Sequence, residues 1–386
     1  MSVIYGAAIY TQAGAVTDRT EGWTFIPSVS AGKKVYQEAE GYYSDKGGQL
    51  LGPLVATDQN EFAYYQCCFD ARAPRGGYWG ASFEDKMGRA IVSDNYSSLY
   101  PHPEKQHYEQ VLYGRENAVG MHPFFQSVAG IEVWNLEIKP ISVDWVAEWC
   151  DLLYQTLPRV ERGAPSDRLK EIPRTVEAMK NGKPWRVVML GDSIVNDTFN
   201  SNFQALWKQA YPKAELQFIC SVRGSTGCWY YQEPEAFKKY IQELRPDLLM
   251  IGGISHRDDA KGISQVIRMT KEKVGCEIVL MTGPLGKDWR AHEGSQEATA
   301  LSVQKWSPNP FIEKQRQIAE EMKIGFWDLE SEWHHYLGGS KKPWRWYQRD
   351  EVHGNDRGKQ IIARILERIV KEPNEGKIFS EPNDLK

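Results

Sequence analysis

The sequence predicts two parts: a β-sandwich of jelly-roll type over residues 1–140, then an α/β domain over residues 183–372 whose parallel sheet is flanked by helices. Three observations carry this. The chain has 386 residues, too many for one ordinary core. Its first 140 residues show short runs of period two and no helical period. From Trp185 onward, short solid apolar runs alternate with amphipathic stretches of period 3.6.

In the first part, Ala63–Phe69, Ala90–Ser93 and Gly130–Lys139 are rich in aromatic and β-branched residues. Within the last, Trp134, Leu136 and Ile138 alternate with Asn135, Glu137 and Lys139, the pattern of a half-buried strand. Turn-forming stretches separate such runs, as in Arg72–Gly80 and Tyr96–Lys105. The rhythm changes at Val143. Trp145, Val146, Trp149, Leu152 and Leu153 would share one helix face, and Asp167–Lys180 reads as a second helix. Residues 141–182 therefore form a helical connector.

In the second part, Trp185–Leu190, Leu216–Cys220, Leu248–Gly252, Ile278–Thr282 and Ile324–Leu329 read as strands buried on both faces. Helices are expected over Phe199–Tyr211, Pro234–Leu244, Ala260–Val274, Phe311–Met322 and Gly358–Val370. The last places Ile361, Ile362, Ile365, Leu366, Ile369 and Val370 on one stripe. Residues 373–386 form a tail.

Bulk composition narrows the function classes. Hydrophobic residues make up 41% and charged residues 25%, an ordinary globular balance. A formal charge of −4 argues against a broad nucleic-acid footprint, and no apolar run is long enough to span a membrane. Residues Met1–Gly14 do not read as a secretory leader, yet a leader can be removed, so the compartment stays open; a periplasmic or extracellular one is favoured if that happened. The six cysteines lack zinc-finger spacing. Cys220 and Cys228 flank a loop, at a separation that permits a disulfide if the chain is exported.

In open parallel sheets, ligands bind beyond the carboxyl ends of the strands. Three exit loops there carry reactive groups: Gly191-Asp192-Ser193-Ile194, Arg223-Gly224-Ser225-Thr226-Gly227 and Gly252-Gly253-Ile254-Ser255-His256. Just before the terminal helix comes Asp350-Glu351-Val352-His353, the one Asp-x-x-His spacing among the eight histidines. Each segment has a bland reading, such as Asp192 merely capping a helix. Together they fall on one rim of the expected sheet. A serine hydroxyl is a weak nucleophile that needs a base in hydrogen-bond reach, itself held by a carboxylate. Ser193, His353 and Asp350 would supply that set.

The C-terminal half, about residues 185–372, resembles the SGNH hydrolases, the GDSL esterase and lipase superfamily. Gly191-Asp192-Ser193-Ile194 is similar to the block that carries their nucleophile, and Asp350 with His353 to the block that completes their triad. The resemblance implies a flavodoxin-like fold and esterase chemistry through an acyl-serine without metal or organic cofactor. It also implies an oxyanion contact from the backbone N–H of Gly224. The family's third block is usually Gly-x-Asn-Asp, whose Asn completes the oxyanion hole; here that strand exit reads Gly253-Ile254-Ser255-His256, so Ser255 or His256 would have to substitute.

The 14 Trp and 19 Tyr suit flat sugar ligands as well as packing. Trp229, Tyr230, Trp289, His292 and Trp346 lie in or near the expected rim loops and are candidates for contacting an acylated glycan or a small-molecule ester. Two rivals stay open: a non-catalytic carbohydrate-binding protein on the same scaffold, and a glycoside hydrolase using Asp192 and Asp350. His334 and His335, with Asp328 and Glu332 nearby, lack metal-ligand spacing and read as solvated or interface residues.

Overall fold

The computed structural model describes residues 3–4, 24–27, 35–38, 41–44, 48–52, 54–57, 64–88, 95–115, 117–127, 130–160, 168–256, 258–284, 309–350 and 352–371. The expected strand Ala90–Ser93, the tail 373–386 and the candidates Trp289 and His292 lie outside them.

The N-terminal part forms two antiparallel sheets. Its strands are β1 (Val3–Ile4), β2 (Thr24–Pro27), β3 (Val35–Glu38), β4 (Gly41–Ser44), β5 (Gly48–Leu51) and β6 (Val55–Ala56), then β7 (Tyr64–Ala73), β8 (Gly77–Asp85), β9 (Asn95–Leu99), β10 (His102–Tyr113), β11 (Ala118–Ser127) and β12 (Ile131–Ile141). One sheet runs β10-β7-β12-β4-β3 with β1 on β12; the other runs β2-β5-β11-β8-β9 with β6 on β11. The sheets face each other across a shared aromatic core. Phe69 of the first lies 5.0 Å from Trp79 and 4.9 Å from Phe125 of the second, both edge-on.

Two expected breaks shrink. Arg72–Gly80 contributes only the turn at Pro74-Arg75-Gly76, where Gly76 takes φ 71°. Tyr96–Lys105 is mostly strand, interrupted at Tyr100-Pro101. Pairing with a neighbour overrides polar composition there, since β9 and β10 are edge strands. At its edge, β10 accommodates Pro103 through a register shift between His102 and Gln106.

Helix α1 (Val143–Gln155) is capped by Ser142, whose Oγ accepts from the Trp145 N–H at 3.2 Å. Its buried face is Val146, Ala147, Trp149 and Cys150, whereas Leu152, expected on that face, is 64% exposed. The second connector helix is shorter than expected: α2 spans Pro173–Asn181, with Pro at its first position and Gly182 in the left-handed region closing it.

The α/β part is a five-stranded parallel sheet in the order β14-β13-β15-β16-β17, with β13 at Pro184–Gly191, β14 at Glu215–Val222, β15 at Leu248–Ile251, β16 at Glu277–Met281 and β17 at Gly325–Trp327. All five expected runs are strands. Successive residues feed opposite faces: Val187 and Met189 join one core, Val188 and Leu190 the other. Tyr64, Val111 and Tyr113 of the N-terminal sheets pack into the first of these cores.

Helices α3 (Ser193–Phe199) and α4 (Phe203–Ala210) replace the single helix expected over Phe199–Tyr211. The expected Pro234–Leu244 helix is α6 (Pro234–Phe237) running into a wider π-type turn at Lys238–Gln242, preceded by a short α5 (Cys228–Tyr231). Helices α7 (Ala260–Lys273), α8 (Pro310–Glu321) and α10 (Asp356–Val370) match expectation, while α9 (Leu329–Ser340) was not expected. Its apolar residues are diluted by Glu, His and Gly, and only burial of Trp333, Tyr336 and Leu337 reveals its inner face. No disulfide joins Cys220 and Cys228: the first lies 3.6 Å from Asn196 Oδ1 and the second is buried.

Candidate active site

The chain leaves β13, crosses to β14 on one side and then to β15 on the other, so these three exit loops emerge side by side. Such a reversal of direction opens a crevice at the strand ends. Close approach there requires glycine. A Cβ on Gly191 would stand 2.4 Å from the Gly252 carbonyl oxygen, and one on Gly227 the same distance from that of Ser255.

Ser193 is the first residue of α3, a helix that begins six residues before the one expected at Phe199. Its neighbour Asp192 caps that helix: Oδ1 accepts from the Ile194 N–H at 2.9 Å. Its Oδ2 accepts from the N–H groups of Ile254 and Ser255, each at 2.8 Å. One carboxylate, 1% exposed, thus ties the exit of β13 to the exit of β15. Gly253 permits this. It holds φ 103°, and a Cβ there would meet the Asp192 carboxylate at 2.5 Å. The bland reading of Asp192 as a cap is correct, and the cap aims the serine.

His353 reaches the serine from the loop before α10. Its Nε2 lies 2.8 Å from Ser193 Oγ, and its Nδ1 lies 2.8 and 2.9 Å from the two oxygens of Asp350. The Asp350 carboxylate also accepts from the N–H groups of Val352 and His353, both at 2.9 Å. Burial pushes this carboxyl up, but the His353 hydrogen bond and those N–H groups outweigh it and hold it at about 2. An ionised Asp350 fixes the tautomer with hydrogen on Nδ1, which leaves Nε2 free to accept the serine proton.

The expected oxyanion donors divide. Gly224 is exposed, follows Arg223, whose N–H bonds the Gly191 carbonyl at 3.0 Å, and has open space where a Cβ would be. Ser255 spends its N–H on Asp192 and its carbonyl on the Trp229 indole at 3.0 Å. His256 does not face solvent: it is 3% exposed, and neither ring nitrogen has a partner. Burial pushes its imidazole below the ordinary range, against the pull of Asp192 and Asp259, and keeps it neutral.

Of the expected ligand-contacting aromatics, Trp229 is half-buried and bridges two exit loops. Tyr230 packs on Tyr231 and Tyr240, with Arg223 4.5 Å over its ring. Trp346 is covered by Arg357 at 4.2 Å and Lys342 at 5.5 Å. Both rings are half-buried. Asp328, considered earlier beside the adjacent histidines, caps α9 and pairs with Arg316 at 3.3 Å.

Sequence reasoning missed Asp197 and Arg349. Asp197 lies one turn after Ser193 on α3, is 1% exposed, and accepts from Arg349 Nη1 at 2.9 Å and the Gly354 N–H at 3.0 Å. The same Arg349 Nη1 donates to the Gly354 carbonyl at 3.1 Å, closing the loop that carries His353. The signal available was the i, i+4 spacing of Ser193 and Asp197 on a helix.

The chain matches no protein-family model and no curated protein. Among solved structures it is similar to a two-domain esterase active on acetylated mannans, at 13% identity over 52% of this chain and 53% of that one, with a TM-score of 0.41. Another is a catalytic mutant of an acetylxylan esterase from Geobacillus stearothermophilus, at 16% identity over 49% of this chain and 95% of that one, TM-score 0.38. A third, a peptidoglycan O-acetylesterase, shares 9% identity over 95% of this chain and 75% of that one, TM-score 0.30. The chain thus spans about half the length of the mannan-active esterase.

Proposed function

We propose that this chain is a serine ester hydrolase of the SGNH type, with a flavodoxin-like catalytic domain, that removes acyl groups, acetyl above all, from carbohydrate. The observation that carries the proposal is the continuous relay from Ser193 Oγ through the His353 ring to the Asp350 carboxylate, with a hydrogen-bond distance of 2.8 Å at each end of the ring.

In the mechanism, His353 Nε2 takes the hydroxyl proton as Ser193 Oγ attacks the ester carbonyl carbon. The resulting imidazolium is stabilised by Asp350. The carbonyl oxygen gains negative charge and is met by the backbone N–H groups of Ser193 and Gly224. The C–O bond to the alcohol then breaks, His353 returns its proton to the leaving oxygen, and an acyl-serine remains. Water, deprotonated by the same imidazole, attacks that acyl group, and collapse releases the carboxylic acid and restores the Ser193 hydroxyl.

His256 contributes less than the family pattern would have its position contribute. With the His256 ring enclosed, the backbone N–H groups of Ser193 and Gly224, aided by the Ser255 hydroxyl, carry the oxyanion stabilisation. This favours a slow hydrolase over a fast one, because one missing donor costs on the order of 100- to 1000-fold. The glycosidase alternative is disfavoured by Asp192, whose oxygens already serve three backbone N–H groups. The carbohydrate preference rests on Trp229 at the rim and is the narrower part of the proposal. A fluorophosphonate probe, which reacts with activated serines whatever the acyl substrate, tests the core of it: labelling of wild type and not of Ser193→Ala is expected. Labelling that persists in Ser193→Ala, or no labelling of folded wild type, would refute it. Release of acetate from acetylated glycans, followed by mass spectrometry, tests the substrate class.

A further inference from the structure

The nucleophile and the base come from opposite ends of the α/β part, and both segments are gripped by the N-terminal sheets. At the far end of α3, Asn200 closes the helix, and its Oδ1 accepts from Arg115 Nη2 at 2.7 Å. Arg115 follows β10 in the chain, is 8% exposed, and donates to the Tyr113 carbonyl at 3.1 Å. Its guanidinium lies 4.7 Å over Phe199, the last residue of α3, and 5.2 Å over Phe83 of β8. Tyr113 adds an edge-on contact to Phe199 at 5.4 Å. On the other flank, Gln110 of β10 donates to Asp356, the first residue of α10, at 2.9 Å. One residue on, Arg357 is held between Tyr100, 5.2 Å away, and Trp346.

We infer that the N-terminal sheets act as a jig for the relay, with Arg115 the positioning residue that sets the seat of the Ser193 helix against the His353 loop. The inference rests on the esterase reading and deepens it. The physical reason is the shortness of α3. A helix of seven residues has too few internal hydrogen bonds to define its own orientation, so its direction is imposed by what holds its ends. Asp192 holds the start. Asn200, and through it Arg115, holds the finish. Between them Asp197 docks the loop, so rotation of α3 moves Ser193 Oγ relative to His353 Nε2. A misplacement of about 1 Å in such a relay costs on the order of 100-fold in rate.

The test compares full-length wild type with Arg115→Ala, Arg115→Lys, Gln110→Ala and, as a control in the sandwich core away from this contact, Val133→Ala. Three quantities are read at a temperature where each variant is folded: Tm, the second-order rate of fluorophosphonate labelling at Ser193, and kcat and KM on p-nitrophenyl acetate. Arg115→Ala is expected to lower the labelling rate and kcat by about tenfold or more with KM little changed. Arg115→Lys, which keeps the charge but not the planar fork, should recover part of that loss. Val133→Ala should lower Tm while its folded fraction labels at the wild-type rate. Labelling of Arg115→Ala at the wild-type rate would overturn the inference, as would an equal loss in Val133→Ala. If Arg115→Ala fails to fold, Gln110→Ala decides: a several-fold fall supports the jig and an unchanged rate overturns it. Failure of wild type itself to label would instead remove the esterase reading, and this inference with it.

Discussion

The interior of the sandwich and the strand-exit rim of the parallel sheet are held together by different forces. In the sandwich, Phe69, Trp79, Phe125 and Tyr108 meet ring against ring, and each is 8% exposed or less. Most of the free energy there is apolar burial, which is non-directional, so the loss of one side chain costs packing and little else. At the rim, Asp192, Asp197 and Asp350 spend their oxygens on named N–H groups at 2.8 to 3.0 Å. Directional bonds of this kind determine where a neighbouring atom sits. The difference teaches that stability and reactivity are assigned to separate regions, and substitutions can pull the two apart.

The largest effect expected is on rate at the rim. Ser193→Ala should lose ester turnover by about 1000-fold or more, while its circular dichroism spectrum and Tm stay those of wild type. A large fall in Tm would blur the distinction between the regions. In the sandwich the order reverses. Phe69→Ala should cost about 3–5 kcal/mol of stability, by denaturant titration, with the rate per folded molecule unchanged. An altered rate would indicate coupling from the core to the site. Gly253→Ala joins both classes, because a Cβ there strains the backbone and displaces the Asp192 carboxylate. We expect a loss of about 1–3 kcal/mol together with slower labelling of Ser193.

A pH series sharpens the comparison. The folded carboxyl of Asp350 lies at about 2, below its ordinary value of 3.8. A depressed carboxyl contributes stability that is fully present above the ordinary value and is lost as pH falls toward 2. The Tm difference between wild type and Asp350→Asn should therefore be constant above about pH 4 and shrink below it. Above about pH 4 Asp350 stays ionised and holds the His353 ring. The smallest effect is expected at Leu152, 64% exposed on α1, where Leu152→Ala should change stability by no more than about 0.5 kcal/mol.

Much of this was legible before any coordinates. The five parallel strands announced themselves as solid apolar runs, because a strand covered on both faces has no polar side to show. The meeting of Ser193, His353 and Asp350 was legible because a serine–histidine–carboxylate set needs those residue types near strand exits. Other features were not. Tyr96–Lys105 is polar and proline-containing, yet edge pairing makes most of it strand. The Leu329–Ser340 helix hides its apolar face among polar residues and glycines. The cations that flank Trp346 and Tyr230, Arg357 and Lys342 on the first and Arg223 on the second, were likewise unforeseen.

The sequence by itself determined the alternation of strand and helix, the place where the chain changes from period two to period 3.6, and which serine, histidine and aspartate are the candidates for the relay. These are local properties, written in side-chain spacing and in intrinsic chemistry. Only the tertiary structure decided that α3 begins at the serine, that Asp192 joins two strand exits, that His256 turns inward, and that Arg115 reaches across to Asn200, 85 residues away. Those contacts join groups far apart along the chain. Their existence depends on the strand order and on how the two sheets of the sandwich seat against α3 and α10, which no local pattern encodes.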